Sequence, residues 1–152
     1  MNLNEFLVKA KKNTYASNKK ATSLEDGSKE FTYQEGNLTY RDRFFGNNPF
    51  FGEEIVFENG VAIWGMNYHG RVFDNDIDMI DKVYSFLKEA LKKVDKRFPV
   101  RGPEEFSKGK FLYTNEYFGQ ELEFFLGREY IEFGMISKLV YELSYHGGLI
   151  KK

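Results

Sequence analysis

Apolar residues recur at Leu3, Phe6, Leu7 and Ala10, the spacing of one helical face, and predict a helix over residues 3–13. Asn2 and Glu5 stand at its start like a capping box, with Asn in the Ser/Thr place. Residues 14–29 are mostly small, polar or charged and include Asp26-Gly27-Ser28, so they read as a loop ending in a turn. The period then changes. Aromatic and β-branched runs over residues 31–33, 38–45, 50–57 and 61–68 are separated by Glu35-Gly36-Asn37, Gly46-Asn47-Asn48-Pro49 and Glu58-Asn59-Gly60. This is the pattern of a β-meander, and Asn-Gly between two such runs is a strong hairpin signal.

Helical spacing returns over residues 76–94, where Ile80, Val83, Tyr84, Leu87, Leu91 and Val94 share one face. Asp74, Asp76, Asp78 and Asp81 crowd its start and Lys88, Lys92, Lys93 and Lys96 its end, both complementing the helix dipole. Pro99 stops the helix, and Arg101-Gly102-Pro103 leads to strands near 110–118, 122–132 and 135–146. The chain closes on Gly147-Gly148-Leu149-Ile150.

The two β-rich stretches, about 30–70 and 110–148, resemble each other. Tyr40-Arg41-Asp42-Arg43-Phe44-Phe45-Gly46 is matched by Tyr113-Thr114-Asn115-Glu116-Tyr117-Phe118-Gly119. Phe51-Gly52-Glu53-Glu54 is matched by Leu126-Gly127-Arg128-Glu129, and Asn67-Tyr68-His69-Gly70 by Ser144-Tyr145-His146-Gly147. The expected architecture is a single α+β domain over 1–152. Its strongly bent antiparallel sheet of six to eight strands is built from two related halves. The sheet packs on the 76–94 helix, and the N-terminal helix covers an edge or one end. The halves are expected to meet about a pseudo-two-fold axis with a cleft between them.

Composition narrows the function. Twenty-two basic residues face 23 acidic ones, so the chain lacks the basic excess of a direct nucleic-acid binder. Lys9, Lys11, Lys12, Lys19 and Lys20 form a local basic cluster, read as a solvated helix face and a loop. There are no cysteines, which removes thiol chemistry and fits a reducing, cytoplasmic setting. No apolar run approaches the ~20 residues of a membrane span, so no membrane partner is expected. Sixteen Phe, ten Tyr and one Trp point to a β-rich core filled by rings.

Several stretches together resemble a known family. They are Asn13-Thr14-Tyr15-Ala16, Phe51-Gly52-Glu53-Glu54, Trp64-Gly65-Met66-Asn67-Tyr68-His69-Gly70, Arg101-Gly102-Pro103 and Tyr145-His146-Gly147-Gly148. The chain is similar to small bacterial and archaeal proteins grouped under a domain of unknown function, some of which follow a repressor-like helix-turn-helix segment. The resemblance implies no established chemistry. The regulator fusion implies at most that such domains sense something. No such segment is expected ahead of residue 1, so a DNA role would be expected to need a partner.

Strand parity sorts the candidate residues. Tyr40, Asp42 and Phe44 point one way, as do Tyr113, Asn115 and Tyr117; Trp64, Met66 and Tyr68 share a core face. Glu54 and Glu129, brought close in a partly apolar cleft, would act as an acid–base pair or hold a metal; alternatively each ties down the turn beside its Gly or faces water. Asp42, like Asn115, is either a functional carboxylate among rings or a partner of the turn backbone that reaches Gly46. His69 and His146 are general acid/base or metal-ligand candidates, though parity places them opposite Tyr68 and Tyr145. Arg101 either holds an anion or makes an ion pair. Tyr15 either lids a pocket or anchors its loop.

Asp74-Asn75-Asp76-Ile77-Asp78 departs from a calcium loop, with Met79 where Gly and Ser85 where Glu are needed. No phosphate loop, dinucleotide fingerprint, nucleophile elbow or zinc motif is found, and no cofactor is indicated. The leading expectation is a non-catalytic domain that binds a small ligand or a protein partner in an aromatic-lined cleft, with Tyr40, Trp64 and Tyr113 on its wall. One alternative is a small hydrolase or isomerase using Glu54, Glu129, His69 and His146. The other is a structural protein that forms homodimers or higher homo-oligomers.

Overall fold

The computed structural model describes residues 1–151. Two helices, α1 (Leu3–Lys12) and α2 (Ile77–Leu91), cover one face of a bent antiparallel sheet. The strands are β1 (Thr22–Ser23), β2 (Lys29–Glu35), β3 (Leu38–Gly46), β4 (Phe50–Glu58), β5 (Val61–Val72), β6 (Glu105–Lys108), β7 (Phe111–Gln120), β8 (Phe124–Phe133) and β9 (Lys138–Leu149). The fold is α+β, as the alternating patterns predict, but the described strands number nine rather than six to eight. The two extra strands, β1 and β6, are two and four residues long and carry a single apolar residue, Phe106, between them. Period-2 reading has nothing to detect in so short a run.

Local chemistry sets the boundaries. Asn2 caps α1 by accepting from the Glu5 amide at 2.9 Å. Asp76 caps α2 by accepting from the Asp78 amide at 3.2 Å, and Asp74 accepts from the Asp76 amide. The acids that mimic a calcium loop are therefore occupied in starting the helix. Asn59 and Gly60, with φ of 49° and 80°, form the tight turn between β4 and β5 that Asn-Gly predicts.

The strand order is β1-β2-β3-β4-β5-β9-β8-β7-β6. The chain zigzags from one edge to the centre, leaves through α2, re-enters at the far edge and zigzags back. The central seam joins β5 to β9. Across it Tyr68 stands opposite Tyr145, Asn67 opposite His146 and His69 opposite Ser144. The two corresponding sequence motifs thus run antiparallel past each other at the middle of the sheet, centred on the Tyr68–Tyr145 pair.

The core lies between the inner face of the sheet and the helices. Phe6, Leu7 and Ala10 of α1 are fully buried, as are Val83 and Ala90 of α2. Phe86 stacks on Phe106 and Phe111, with ring centroids 5.6 and 5.1 Å apart. Burying each such large apolar side chain stabilises the fold by about 1.5–3 kcal/mol. The segment after α2 stays in this core, with Val94, Phe98 and Val100 buried, and so carries Arg101 beneath the sheet.

Candidate functional site

Alternation along the strands turns Tyr40, Asp42, Glu54, Trp64 and Tyr68 inward in one half of the sheet. It turns Tyr113, Asn115, Glu129, Tyr141 and Tyr145 inward in the other. Glu54 and Glu129 are 0% exposed, so neither ties down a turn nor faces water. An ionised carboxylate survives such burial only with partners, and both have them.

Glu129 is fully engaged. Arg101 donates to its Oε1 at 2.5 Å and Tyr141 to the same oxygen at 2.8 Å. Tyr113 donates to Oε2 at 2.5 Å and itself accepts from the Gly102 amide at 3.0 Å. Arg101 therefore makes an ion pair, the second of the two roles its sequence context allows.

Glu54 is held differently. Lys11 donates to its Oε2 and, at 2.7 Å, to the Val100 carbonyl. Among the described residues the other oxygen, Oε1, is buried without a hydrogen bond. So are the Tyr40 hydroxyl and the Trp64 indole N–H, which occupy the places of Tyr113 and Tyr141. Lys11 corrects the reading of the basic cluster as a solvated face: it is 0% exposed. Position 11 lies four residues after Leu7 and extends the Leu3, Leu7 stripe, which is the signal that places it inside. Burial pulls its pKa down, opposed by the Glu54 charge and hydrogen bond.

Two glycines make this packing feasible. A methyl group on Gly52 would meet the Tyr68 hydroxyl at 2.5 Å, and one on Gly127 would overlap the Tyr145 ring. Each tyrosine of the seam lies across the glycine of the neighbouring strand. From there it reaches one strand further: Tyr68 donates to Asp42 Oδ1 at 2.5 Å, and Tyr145 to Asn115 Oδ1 at 2.7 Å. Asp42 thus accepts from a tyrosine across the sheet and not from the turn at Gly46. Asn115 is satisfied further, donating to the Gly102 carbonyl at 3.2 Å. Among the described residues nothing hydrogen-bonds Asp42 Oδ2. Burial, followed by the nearby Glu54 charge, pushes the Asp42 carboxyl up to about 7, against the Tyr68 hydrogen bond and the Lys11 and Arg101 charges.

Asp42 opens on a cleft of about 360 Å³ between the first half of the sheet and α2. Tyr15, Phe31, Phe44, Phe50, Tyr68 and Tyr84 supply aromatic walls, and Lys88 and Arg101 the cationic ones. The Tyr15 ring lies between two buried cations, 5.4 Å from Lys11 Nζ and 5.5 Å from the Arg101 guanidinium carbon. It both lines the cleft and holds its loop. This cleft lies within one half; a second hollow, lined from both halves by Phe51, His69, Phe118 and His146, lies across the seam on the outer face, and Tyr40, Trp64 and Tyr113 line neither. These three are 0% exposed, because sheet and helices close over them.

His69 and His146 fall outside this constellation. Their strand parity is opposite to that of Tyr68 and Tyr145, and both are exposed on the outer face. Phe51, Phe118 and Leu126 surround them there. A set of carboxylates and histidines, as a hydrolase or isomerase alternative needs, is therefore not assembled. No group of three His, Asp or Glu placed to hold a metal ion occurs among the described residues. No described helix is long and apolar enough to cross a membrane.

The family described as a domain of unknown function (DUF5680) matches residues 42–150, from the cleft carboxylate to the end of the sheet. No curated protein and no solved structure is significantly similar to the chain.

Proposed function

The chain belongs to that family, and from its own geometry we propose that it is a small-ligand binding domain whose site is the cleft between the sheet and α2. One observation carries the reading: the buried Asp42 carboxylate has one oxygen fixed by Tyr68 and opens on an aromatic-walled cleft with Arg101 beside it. Concave, mostly apolar sites with a few convergent polar groups are the usual form of ligand pockets, and about 360 Å³ lies within their size range. A regulator association, as the family resemblance implies, would make such binding a sensing event. The registers across the β5–β9 seam support the internal repeat, which we take as a duplication.

Small molecules that copurify with the protein test the reading. Denaturing the purified wild type and a cleft-filling Leu87→Trp variant and analysing both extracts by mass spectrometry gives the answer. The expected result is a compound released by the wild type and missing from the variant. The same compounds from both, or none that binds the wild type again, would overturn it.

A second reading, association of two copies through the outer face, has one observation in its favour. Phe51, Phe118, Phe124 and Leu126 are 52%, 66%, 65% and 49% exposed there. Light scattering is expected to give a dimer mass that falls to the monomer in Phe118→Ser; a monomeric wild type ends this reading.

A further inference from the structure

The second half of the sheet shows what kind of body fits the first. Tyr117 and Phe125 correspond to Phe44 and Phe50, as Asn115 and Tyr145 correspond to Asp42 and Tyr68. In the second half the space they frame is occupied by the chain itself. The Phe98 ring lies flat on Tyr117, with centroids 3.5 Å apart and planes 14° apart. It meets Phe125 edge-on, at 5.8 Å and 89°.

In the first half the same walls face the cleft. Tyr84 stands edge-on to Phe50, at 6.0 Å and 69°, much as Phe98 stands to Phe125. Phe31 lies beside Phe44, with centroids 6.0 Å apart. Among the described residues no ring lies on Phe44 at the 3.5 Å separation that Phe98 has from Tyr117.

The polar groups repeat this difference. Asn115 accepts from Tyr145 and uses its amide nitrogen on the Gly102 carbonyl, so both ends of this side chain are engaged. Asp42 has no such chain segment opposite it, and its Oδ2 remains available to a donor. Charge then limits the ligand. A cation reaching Asp42 would sit near Arg101 and Lys88; an anion would sit near Asp42 with Glu54 behind it. A neutral molecule with a donor at one edge and an acceptor at the other meets both walls without a like-charge contact.

We infer that the cleft takes a flat, neutral nitrogen heterocycle of one or two rings, stacked on Phe44 and donating an N–H to Asp42. The inference rests on the small-ligand reading of the cleft and specifies its ligand class.

The experiment is a fragment titration of the full chain, read by protein-observed NMR with thermal shift as a second measure. The probes are neutral flat heterocycles (adenine, indazole, quinazolin-4-one), the saturated neutral cyclohexanecarboxamide, the cation benzylammonium and the anion benzoate. The expected result is saturable binding by at least one heterocycle and none by the other three. Phe44→Ala is expected to weaken that binding about tenfold or more, the scale of one ring-on-ring stack. Asp42→Ala weakens it by a similar factor. Phe98→Ala, which vacates the matching space on Tyr117 where Asn115 is already engaged, is expected to leave the stoichiometry at one. Should Phe98→Ala not fold, the Phe44 and Asp42 variants still decide. Binding of the saturated or charged probes in preference to every heterocycle, still sensitive to Phe44→Ala, would sink the ligand class and leave the cleft as the site. If no probe binds in a manner sensitive to Phe44→Ala, both this inference and the ligand-binding reading of the cleft fall.

Discussion

The two halves of the sheet place corresponding side chains at corresponding positions and finish them differently. Around Glu129 both carboxylate oxygens are matched, because Arg101, Tyr113 and Tyr141 all donate to them, and among the described residues only the Arg101 Nε is left buried without a partner. Phe98 fills the adjoining space. Around Glu54 one cation, Lys11, does the holding, while Glu54 Oε1, Tyr40 and Trp64 lack partners and the adjoining space is a cleft. Saturated hydrogen bonding and close packing make a rigid support. Open valences and open space make a place for something to bind. The lesson is that equivalence of sequence motifs does not carry equivalence of role.

The largest effect that can sharpen this contrast comes from the paired carboxylates. Glu129→Gln strands the Arg101 guanidinium in the core, where it cannot lose its charge, and is expected to lower the free energy of unfolding in urea by about 3–5 kcal/mol. Glu54→Gln strands Lys11, whose pKa burial already lowers and which can release its proton. Its expected cost is about 1–3 kcal/mol. Equal losses would break the contrast.

Next come the tyrosines. Tyr113→Phe removes a hydrogen bond to a buried carboxylate and is expected to cost about 1.5–3 kcal/mol in the same unfolding experiment. Tyr40→Phe removes a hydroxyl without a partner, so its change should stay within about 0.5 kcal/mol or favour the folded state. A Tyr40→Phe loss as large as that of Tyr113→Phe would show that the first half is as tightly bonded as the second.

The mildest substitution copies one half into the other. Asp42→Asn installs the residue that the second half carries at Asn115. With its pKa raised from 3.8 to about 7, Asp42 in the folded protein holds a proton that the unfolded chain releases. The contribution of Asp42 to wild-type stability therefore falls as pH rises from about 4 to about 7, and then levels. Asp42→Asn is expected to flatten that decline, matching the wild type near pH 4 and exceeding it at pH 8. Parallel pH curves for the two proteins would show that Asp42 does not titrate in this window.

Much of this was legible in the sequence. Period-2 alternation grouped Asp42 with Tyr40, and Trp64 with Met66 and Tyr68, on faces that prove to be inward, and set His69 and His146 opposite Tyr68 and Tyr145. Asn59-Gly60 marked its turn, Asn2 its cap, and the acids from Asp74 to Asp81 the start of α2 without singling out Asp76 as the cap. What escaped has a common physical origin in distance along the chain. Lys11 and Glu54 are 43 residues apart, and Arg101 and Glu129 are 28 apart, so no local window pairs them. Phe98 follows a helix and precedes Pro99, and nothing in that context announces a ring that will fill a space made by β7 and β8. The cleft itself is defined by what does not fill it, and periodicity cannot express that.

The two shortest strands have a consequence for aggregation. A sheet of nine strands has two open edges, and an edge with unpaired backbone groups is a template on which another chain can polymerise. Here both edges end in stubs, Thr22–Ser23 and Glu105–Lys108. Beyond the first stub, Lys19 donates to the Thr32 carbonyl at 3.1 Å and sets a charge against the bare edge of β2. On the second, Lys108 pairs with Glu89 of α2. Lysines on short edge strands resist strand addition, so this sheet is guarded against growing sideways into fibrils, and whatever binds it must approach one of its faces.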